Sequence, residues 1–315
     1  MKKLISICVP CRNEVDNVKP LSEEIVKLLE QLPQYNFEII FSDNCSTDGT
    51  QDQLREICSR DKRIKAILNA KNFPIGSGYN MIFQAQGDCI ITLQADFQLP
   101  IELIPQSIVE WEKGAAVVAF LKKPGKHDKL RLFRKLYYKM SSLFSNQGNI
   151  LRINGALYDR HFINICKRLN DPLFSLREMI VNYAAPLVTI EFDEKPRRSG
   201  KSNNSGFKLI DIAIKRFVLM SDTAPHYAIL AGMGMGIVSF LISIYYLVRK
   251  LLDWYNFPLG IAPLIIGMFF LGGVQLIFIG LIGEYVMAIN ERQKNKPFVV
   301  EKERINFDDQ PVEKQ

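Results

Sequence analysis

The sequence has few histidines and lacks several motifs that would assign it to common enzyme classes. Its three histidines, at positions 127, 161 and 226, show no HxxxH or HxxE spacing, which argues against a zinc site. No GxGxxG follows the first apolar run and no GxxxxGK[ST] occurs, which excludes a dinucleotide dehydrogenase and a P-loop NTPase. No stripe of basic and aromatic residues is present, so we expect no nucleic acid partner.

Cysteine is also scarce, with six residues at positions 8, 11, 45, 58, 89 and 166. Cys8 and Cys11 form one CxxC, which leaves a redox pair as an alternative, but no second CxxC completes a zinc site. We favour a structural role because Cys8 belongs to an apolar run. The first residues lack the apolar run and cleavage site of a signal peptide, so we expect reduced thiols in the cytosol.

Charge and hydropathy indicate an anionic partner and a membrane-embedded part. The net charge of +7 suits phosphate or lipid headgroups. Residues 227–248 and 257–283 carry no charge, and each run is long enough to cross a bilayer. We therefore expect a two-helix transmembrane hairpin, two buried core helices being the alternative. More basic residues flank the two apolar runs than lie in the connector between them. This predicts a multi-pass protein of the inner (cytoplasmic) membrane with both termini cytosolic.

The regions beside the hairpin give the expected domain organisation. Residues 206–224 have a charged stripe at helical spacing, which predicts an interfacial amphipathic helix, with a simple linker as the alternative. Residues 291–315 are charged, which predicts a cytosolic tail, and its last stretch, Glu301–Gln315, lacks periodicity and is expected to be frayed. The remaining domains are residues 1–205, a cytosolic α/β domain, and 225–290, the hairpin.

Short apolar runs alternate with helical patterns in the first hundred residues. The runs are 4–9, 37–42, 64–68 and 89–93, which predicts a parallel sheet covered by helices. Ligands bind beyond the carboxyl ends of such strands, where the polar segments 10–14, 43–50 and 94–100 stand. Glu14 and Asp43 could recognise a nucleoside. Asp96, with the carbonyl oxygen of Gln98, could hold a hard divalent cation.

Several motifs, in order over residues 4–300, resemble one family. They are Pro10–Glu14, SDNCSTDGT, the segment from Asn72 to Asp88, QADFQLP, PRRSGKS and GEYVMAINERQKNKPF. Together they resemble the polyprenyl-phosphate glycosyltransferases of glycosyltransferase family 2, the bacterial relatives of dolichyl-phosphate mannose synthase. The resemblance implies a Rossmann-like GT-A fold and a nucleotide-diphosphate sugar, a UDP- or GDP-hexose, bound with Mg²⁺ or Mn²⁺. The sugar would pass with inversion to a polyprenyl phosphate of undecaprenyl type at the cytosolic membrane face. A homo-oligomer is left open.

The resemblance also implies roles for particular residues. Asp96 and Gln98 would hold the metal, and Asp159 would be a catalytic base. Arg198 and Ser202 would close over the phosphates. The residues expected to contact the nucleotide sugar are Pro10, Arg12, Glu14, Asp43, Asn44, Gln94, Ala95 and Ser202.

Two points leave alternatives. Gln94 and Asn44 stand where the family usually has Asp, which keeps a non-catalytic scaffold open; a polysaccharide synthase would share the nucleotide-binding half, but its QxxRW motif is missing. A phosphate monoester is already largely dianionic at neutral pH, so Asp159 is hardly required as a base. It could instead orient an arginine or the sugar, or have a purely structural role at the entry to a helix. The acceptor phosphate needs cations, and Arg131, Arg134 and Lys135 could supply them or form a solvated face.

Overall fold

The computed structural model describes residues 2–74, 76–123, 153–169, 186–195, 261–293 and 299–307, with scattered positions at 176–180, 232–252 and 297. The chain divides into two compact units. One comprises residues 1–131, 149–203 and 295–315, and the other comprises residues 132–148 and 204–294.

The first unit is an alternating α/β structure whose elements lie close to those predicted. Its strands and helices in chain order are β1 (Leu4–Cys11), α1 (Val15–Leu29), β2 (Asn36–Asp43), α2 (Thr50–Arg60), β3 (Ile64–Asn69), α3 (Gly76–Gln84), β4 (Cys89–Thr92), α4 (Leu103–Glu112), β5 (Val117–Lys122), β6 (Ile153–Asp159), α5 (Arg160–Arg168), β7 (Leu187–Phe192) and β8 (Glu301–Ile305).

The eight strands form one mixed sheet in the order β7-β5-β6-β4-β1-β2-β3-β8. β1 pairs in parallel with β2 and β4, β2 with β3, and β5 with β7. β6 runs antiparallel to β4 and β5, and β8 runs antiparallel to β3. The carboxyl ends of β1, β2, β3, β4, β5 and β7 therefore share one edge of the sheet.

Apolar side chains cover both faces of this sheet. Helices α1, α2 and α4 pack on one face, where Leu21, Leu54 and Ile104 are buried. Helices α3 and α5 pack on the other face, where Met81 and Ile163 are buried. The result is a three-layer α/β/α arrangement, which the continuous apolar runs of the central strands predict.

The CxxC motif lies within β1 and does not form a redox pair. Cys8 packs in one core cluster and Cys11 in the other, because side chains three residues apart in a strand point to opposite faces of the sheet. All six cysteines are free. Burial raises the pKa of the Cys8 and Cys11 thiols well above the usual range, so both stay neutral. The expected structural role is confirmed.

The C-terminal segment contradicts the prediction of a frayed tail. Residues 301–305 form β8, and Val299 is buried. The exposure of β8 alternates along the strand, with Glu301, Glu303 and Ile305 half-buried and the residues between them exposed. A charged strand fits the edge of a sheet, because one side of an edge strand has no neighbouring strand and stays open to solvent. The high charge of these residues gave no apolar pattern by which the sequence could indicate a strand.

The second unit contains one long apolar helix, α6 (Ile261–Gln293). Within it, Phe270–Met287 has a mean hydropathy of 1.7, and α6 is the one helix, among the residues that the structure describes, long and apolar enough to cross a membrane. The positions described between 232 and 252 are helical, and most are exposed. The second predicted span thus coincides with a helix, whereas the two-helix hairpin is not confirmed. The interfacial helix at 206–224 lies outside the described residues.

Candidate active site

The shared carboxyl edge of the sheet carries unusual backbone conformations. Asn13, Cys45 and Phe97 have φ of 56°, 60° and 60°, and each lies just beyond the end of a strand, β1, β2 or β4. Non-glycine residues rarely adopt this left-handed region, and where they do the surrounding contacts hold them there. The polar segments that the sequence singles out are therefore held in fixed shapes at one edge.

The segments after β1 and β2 interlock through hydrogen bonds. The Asn13 amide donates to Ser46 Oγ at 2.8 Å, and the Thr47 amide donates to Asn13 Oδ1 at 3.0 Å. The Glu14 amide donates to Thr50 Oγ1 at 3.0 Å. These bonds hold the two segments together. Pro10 and Arg12, in the first segment, are exposed to solvent. Both therefore remain available to contact a ligand.

Asp43 lies at this edge, but its carboxylate is engaged by the protein. It is fully buried and accepts from the Ser46 amide at 3.0 Å, from Ser46 Oγ, and from Gln51 Nε2 at 2.7 Å. Glu14 is half-buried, and its Oε2 accepts from Asn17 Nδ2 at 2.5 Å. Asp43 thus shapes the segment that follows β2, with three of its roughly four acceptor sites already engaged by Ser46 and Gln51.

Asn44 connects the segments after β2 and β3. Its Nδ2 donates to Asn72 Oδ1 at 2.7 Å and to the Phe73 carbonyl at 3.2 Å, while its Oδ1 accepts from the Phe73 amide at 2.7 Å. A carboxylate could accept the last bond but could not donate the other two. The departure from the family's Asp therefore has a structural explanation.

The Gln94-Ala95-Asp96 motif follows β4 at the centre of the edge. Asp96 is 5% exposed, and its Oδ1 accepts from the Gln98 amide at 3.1 Å. Gln94 donates from Nε2 to Asn154 Oδ1 at 2.8 Å. The Gln98 carbonyl, an expected metal ligand, accepts from the Lys195 amide at 3.2 Å. Asp96 is therefore the one carboxylate that this motif places at the edge.

These groups suit a divalent cation only with help from a substrate. Within the described part of the chain no three His, Cys, Asp or Glu side chains cluster as a complete metal site would need. Mg²⁺ is commonly held by one or two carboxylates, waters and substrate phosphates, and one carboxylate beside amide oxygens fits that pattern. Asp96 and the Gln98 carbonyl oxygen, which has a second lone pair beside its bond from the Lys195 amide, are the predicted ligands of such an ion, with Gln94 beside them in the motif.

Sequence reasoning missed Asn154. The antiparallel register opposes Ile91 to Leu157, so the start of β6 lies beside the residues that follow β4. Asn154 therefore reaches Gln94 across 60 residues of sequence. The sequence signal was the short run INGAL at residues 153–157. It identifies the start of a strand beside Gln94 only when the pairing of β6 with β4 is known.

Lys195 shows where the basic segment PRRSGKS begins. Its amide bond to the Gln98 carbonyl fixes the chain beside the Asp96 motif, three residues before Arg198. Arg198 and Ser202 themselves lie outside the described residues, as do Arg131, Arg134 and Lys135.

Asp159 lies at the opposite edge of the sheet, away from the site at which its expected role as a catalytic base would place it. It opposes Cys89, the first residue of β4, and so lies at the amino end of that strand, about 10 Å from its carboxyl end. Its Oδ1 accepts from the His161 amide at 2.7 Å as the N-cap of α5, and its Oδ2 accepts from Trp111 Nε1 at 2.8 Å. The helix-capping alternative is confirmed.

Arg160, next to Asp159, is structural as well. Its guanidinium donates to the Gly87 and Ala85 carbonyls, at 2.7 Å each. The Gly87 amide in turn donates to Ser6 Oγ at 2.7 Å, and a Cβ at position 87 would lie 2.5 Å from that oxygen. Only glycine fits there. Asp159, Arg160 and Gly87 thus stabilise the amino edge of the sheet, opposite the candidate site.

Comparisons with known proteins agree with this geometry. Residues 6–170 match the domain described as glycosyl transferase family 2. The chain is 27% identical over 309 residues to the SfII prophage-derived bactoprenol glucosyl transferase of Shigella flexneri, covering 95% of this chain and 97% of that relative. It is 27% identical over 304 residues to the undecaprenyl-phosphate 4-deoxy-4-formamido-L-arabinose transferase of Proteus mirabilis, covering 93% and 91%.

Solved structures show the same fold. Mannosyl-3-phosphoglycerate synthase from Rubrobacter xylanophilus has a TM-score of 0.52 at 16% identity, covering 69% of this chain and 73% of that one. Glucosyl-3-phosphoglycerate synthase from Mycobacterium tuberculosis, in complex with Mn²⁺, UDP-glucose and glycerol 3-phosphate, has a TM-score of 0.50 at 14% identity, covering 69% and 78%. The expected Rossmann-like GT-A fold is confirmed. The chain belongs to glycosyl transferase family 2, is a glycosyltransferase, and resembles over nearly its whole length relatives named for polyprenyl-phosphate acceptors.

Proposed function

We propose that the chain transfers a hexose, with inversion, from a UDP- or GDP-sugar to a polyprenyl phosphate of undecaprenyl type at the cytosolic face of the inner membrane. One observation carries the proposal: buried Asp96 lies at the sheet edge where the fixed segments after β1, β2 and β4 meet. The two relatives named for bactoprenol and undecaprenyl phosphate, matched almost end to end, support the acceptor class.

The donor occupies the carboxyl edge in this proposal. Pro10 and Arg12 are exposed there and contact the nucleoside or its phosphates. Mg²⁺ or Mn²⁺ accompanies the diphosphate, as Mn²⁺ accompanies UDP-glucose in the mycobacterial neighbour. When bound, such an ion neutralises charge on the diphosphate leaving group. Asp96 would supply the protein's negative charge to it, and the Gln98 carbonyl would supply a neutral oxygen.

The acceptor requires cations more than a base. A phosphate monoester has a second pKa near ~6 and attacks largely as the dianion, so no side chain has to remove a proton from it. This agrees with the position of Asp159 at the opposite edge. Arg198 contributes a planar fork that can bind two phosphate oxygens, since Lys195 starts its segment beside Gln98. Arg131, Arg134 and Lys135 attract the lipid headgroup.

Membrane attachment places both substrates at one surface. Helix α6 provides one apolar segment of sufficient length. We propose that residues 227–248 provide a second span, which gives a multi-pass protein with cytosolic termini. Retention of the chain in membranes after washing with high salt or carbonate tests the attachment, because such washing releases electrostatic binders but not spanning helices.

The decisive experiment is a donor panel on isolated membranes. Radiolabelled UDP- and GDP-hexoses are supplied with Mn²⁺ and undecaprenyl phosphate, and the label is followed into lipid extract and polymer. We expect lipid-extractable label with one donor, lost on EDTA treatment and in Asp96→Asn. Label in polymer would instead indicate a polysaccharide synthase, and no incorporation with any donor would overturn the proposal.

A further inference from the structure

The C-terminal segment, residues 299–307, completes the edge of the sheet beside the candidate donor site. β8 pairs with β3 from Ala66↔Ile305 to Asn69↔Glu301, and the pairing ends with the Ala70 amide donating to the Val300 carbonyl at 2.9 Å. Ala70 is the first residue after β3. The segment that follows it, residues 70–74, is the one that Asn44 binds.

One end of the C-terminal segment is anchored at α2. Asn306 has a φ of 62° and donates from Nδ2 to the Cys58 carbonyl at 2.6 Å and to the Ile64 carbonyl at 2.8 Å. These carbonyls belong to the end of α2 and the start of β3, so one side chain ties the segment to both. Phe307 then packs on the core, with Lys65 Nζ 5.3 Å above its ring.

A register shift lets β8 reach the helices on both faces of the sheet. Glu303 binds Arg55 of α2, with Oε2 2.8 Å from Nη2. Glu301 accepts from Asn80 Nδ2 of α3 at 2.6 Å. Two residues apart in a regular strand, both would face the same layer, but the shift between Leu68 and Asn69 turns Glu301 to the other face. β8 is therefore fixed in register.

Hydrogen bonds at both ends of residues 70–74 connect this strand to the donor edge. Val300 holds Ala70, Asn44 holds Asn72 and Phe73, and the Asn44 amide donates to the Cys11 carbonyl at the end of β1 at 2.9 Å. The C-terminal segment and Asn44 thus bind residues 70–74 at opposite ends, beside the bonds from Cys45 Sγ to the Ala70 carbonyl and from the Ser77 amide to the Phe73 carbonyl. Without the C-terminal segment, the Ala70 amide loses its acceptor and β3 loses the strand that pairs with its edge.

We propose that residues 299–307 are a positioning element of the donor site, which holds residues 70–74 in the conformation that Asn44 binds. The link to the donor rests on the proposed function, whereas the effect on residues 70–74 does not. Residues 294–298 connect this element directly to the end of α6. The segment that follows the apolar helix therefore contributes to donor binding instead of ending as a tail.

The test compares two full-length variants. Asn306→Asp keeps a residue that tolerates the left-handed backbone but removes the donor to the Cys58 and Ile64 carbonyls. Lys302→Gln changes an exposed residue of the same strand and serves as the control. The measurements are hydrogen exchange of amides 69–73, with amides 5–9 of β1 as an internal reference, and KM and kcat for both substrates.

We expect Asn306→Asp to raise exchange of amides 69–73 about tenfold and the donor KM about five- to tenfold, since a local opening that costs one or two hydrogen bonds has this size. The β1 amides, the acceptor KM and kcat should change less than about twofold, and Lys302→Gln should match the wild type throughout. Unchanged exchange at 69–73 would overturn the proposal. Raised exchange with an unchanged donor KM would overturn its link to the donor.

A second variant tests the same proposal without relying on Asn306→Asp. A chain ending at residue 298 lacks the positioning element, and a synthetic peptide of residues 299–307 can be added back. We expect the peptide, but not a scrambled version, to restore protection of amides 69–73 and the donor KM. Failure of wild-type membranes to use any donor would refute the proposed function, whereas the exchange result would still decide whether the segment positions residues 70–74.

Discussion

The side-chain amide of Gln94 donates to Asn154 Oδ1 at 2.8 Å, which ties the first position of the Gln94-Ala95-Asp96 motif to the start of β6. In the resembling family this position is usually an Asp. Here it serves a contact within the sheet edge, and Asp96 is left as the motif's carboxylate. Metal dependence should therefore rest on Asp96.

Two single substitutions test whether metal binding depends on Asp96 and not on Gln94. Asp96→Asn should lower kcat by about 10²–10³ with an unchanged thermal unfolding midpoint, because it removes the negative charge but little volume. Gln94→Asp should lower the Mn²⁺ concentration for half-maximal rate about tenfold, because a second carboxylate strengthens cation binding. The measurement is initial rate against Mn²⁺ concentration. A near-normal rate for Asp96→Asn at limiting Mn²⁺ would remove the metal assignment.

Asp159 should matter for stability and not for chemistry. Asp159→Ala removes the N-cap of α5 and the acceptor of the Trp111 indole, which should cost about 2 kcal/mol of unfolding free energy. Asp159→Asn keeps one oxygen for the helix amide and should cost less. At a temperature where both variants are folded, kcat should be within about twofold of the wild type. A loss of kcat by two orders of magnitude in a folded Asp159→Asn would restore its role as a base.

The misplacement of Asp159 shows what a single sequence can predict. The apolar runs predicted β1 to β4, and the rule that parallel strands end at one edge brought Pro10, Asp43 and Asp96 together correctly. β6 runs antiparallel to β4, so its beginning, not its end, lies at that edge. Strand direction depends on pairing across about 60 residues, and no local pattern records it. The same cause hid Asn154.

The C-terminal strand was missed for a related reason. The alternation of β8 spans five residues of which four are charged, and such a run is typical of a solvated tail. Its partners, Arg55 and Asn80, are more than 200 residues away in sequence. The charges are satisfied only by helices already packed on the sheet. A sequence-based assignment therefore needs the fold before it can recognise the strand.

Thiol reactivity offers a test of the core that needs no substrate. Five of the six cysteines are buried, and burial raises the pKa of Cys58 and Cys166 to about 12. A raised pKa keeps a thiol protonated at neutral pH, so these residues should react slowly with maleimide. We expect one label per native chain, at half-buried Cys45, and six in denaturant. Cys45→Ser should abolish native labelling, and fast labelling of Cys8 or Cys11 would contradict their place in β1.

A substitution at position 44 can restore the Asp that is usual in the family. Asn44→Asp keeps an acceptor for the Phe73 amide but loses both bonds donated by Nδ2, and it points a carboxylate at the Asn72 and Phe73 oxygens. Asn72 can turn its amide to donate instead, whereas the Phe73 carbonyl cannot. We expect the segment 70–74 to loosen by roughly 1–2 kcal/mol and the donor KM to rise about five- to thirtyfold, with kcat little changed.

The double variant Asn44→Asp with Asn72→Asp makes a matched comparison. Two carboxylates then face each other with no amide to turn, so the donor KM should rise further than the sum of the two single effects predicts. KM for the donor in the two single variants and the double variant gives the coupling energy between the positions. Additive effects would mean that residues 44 and 72 act on the donor separately, and that the bond between them does not hold the segment after β3 in place.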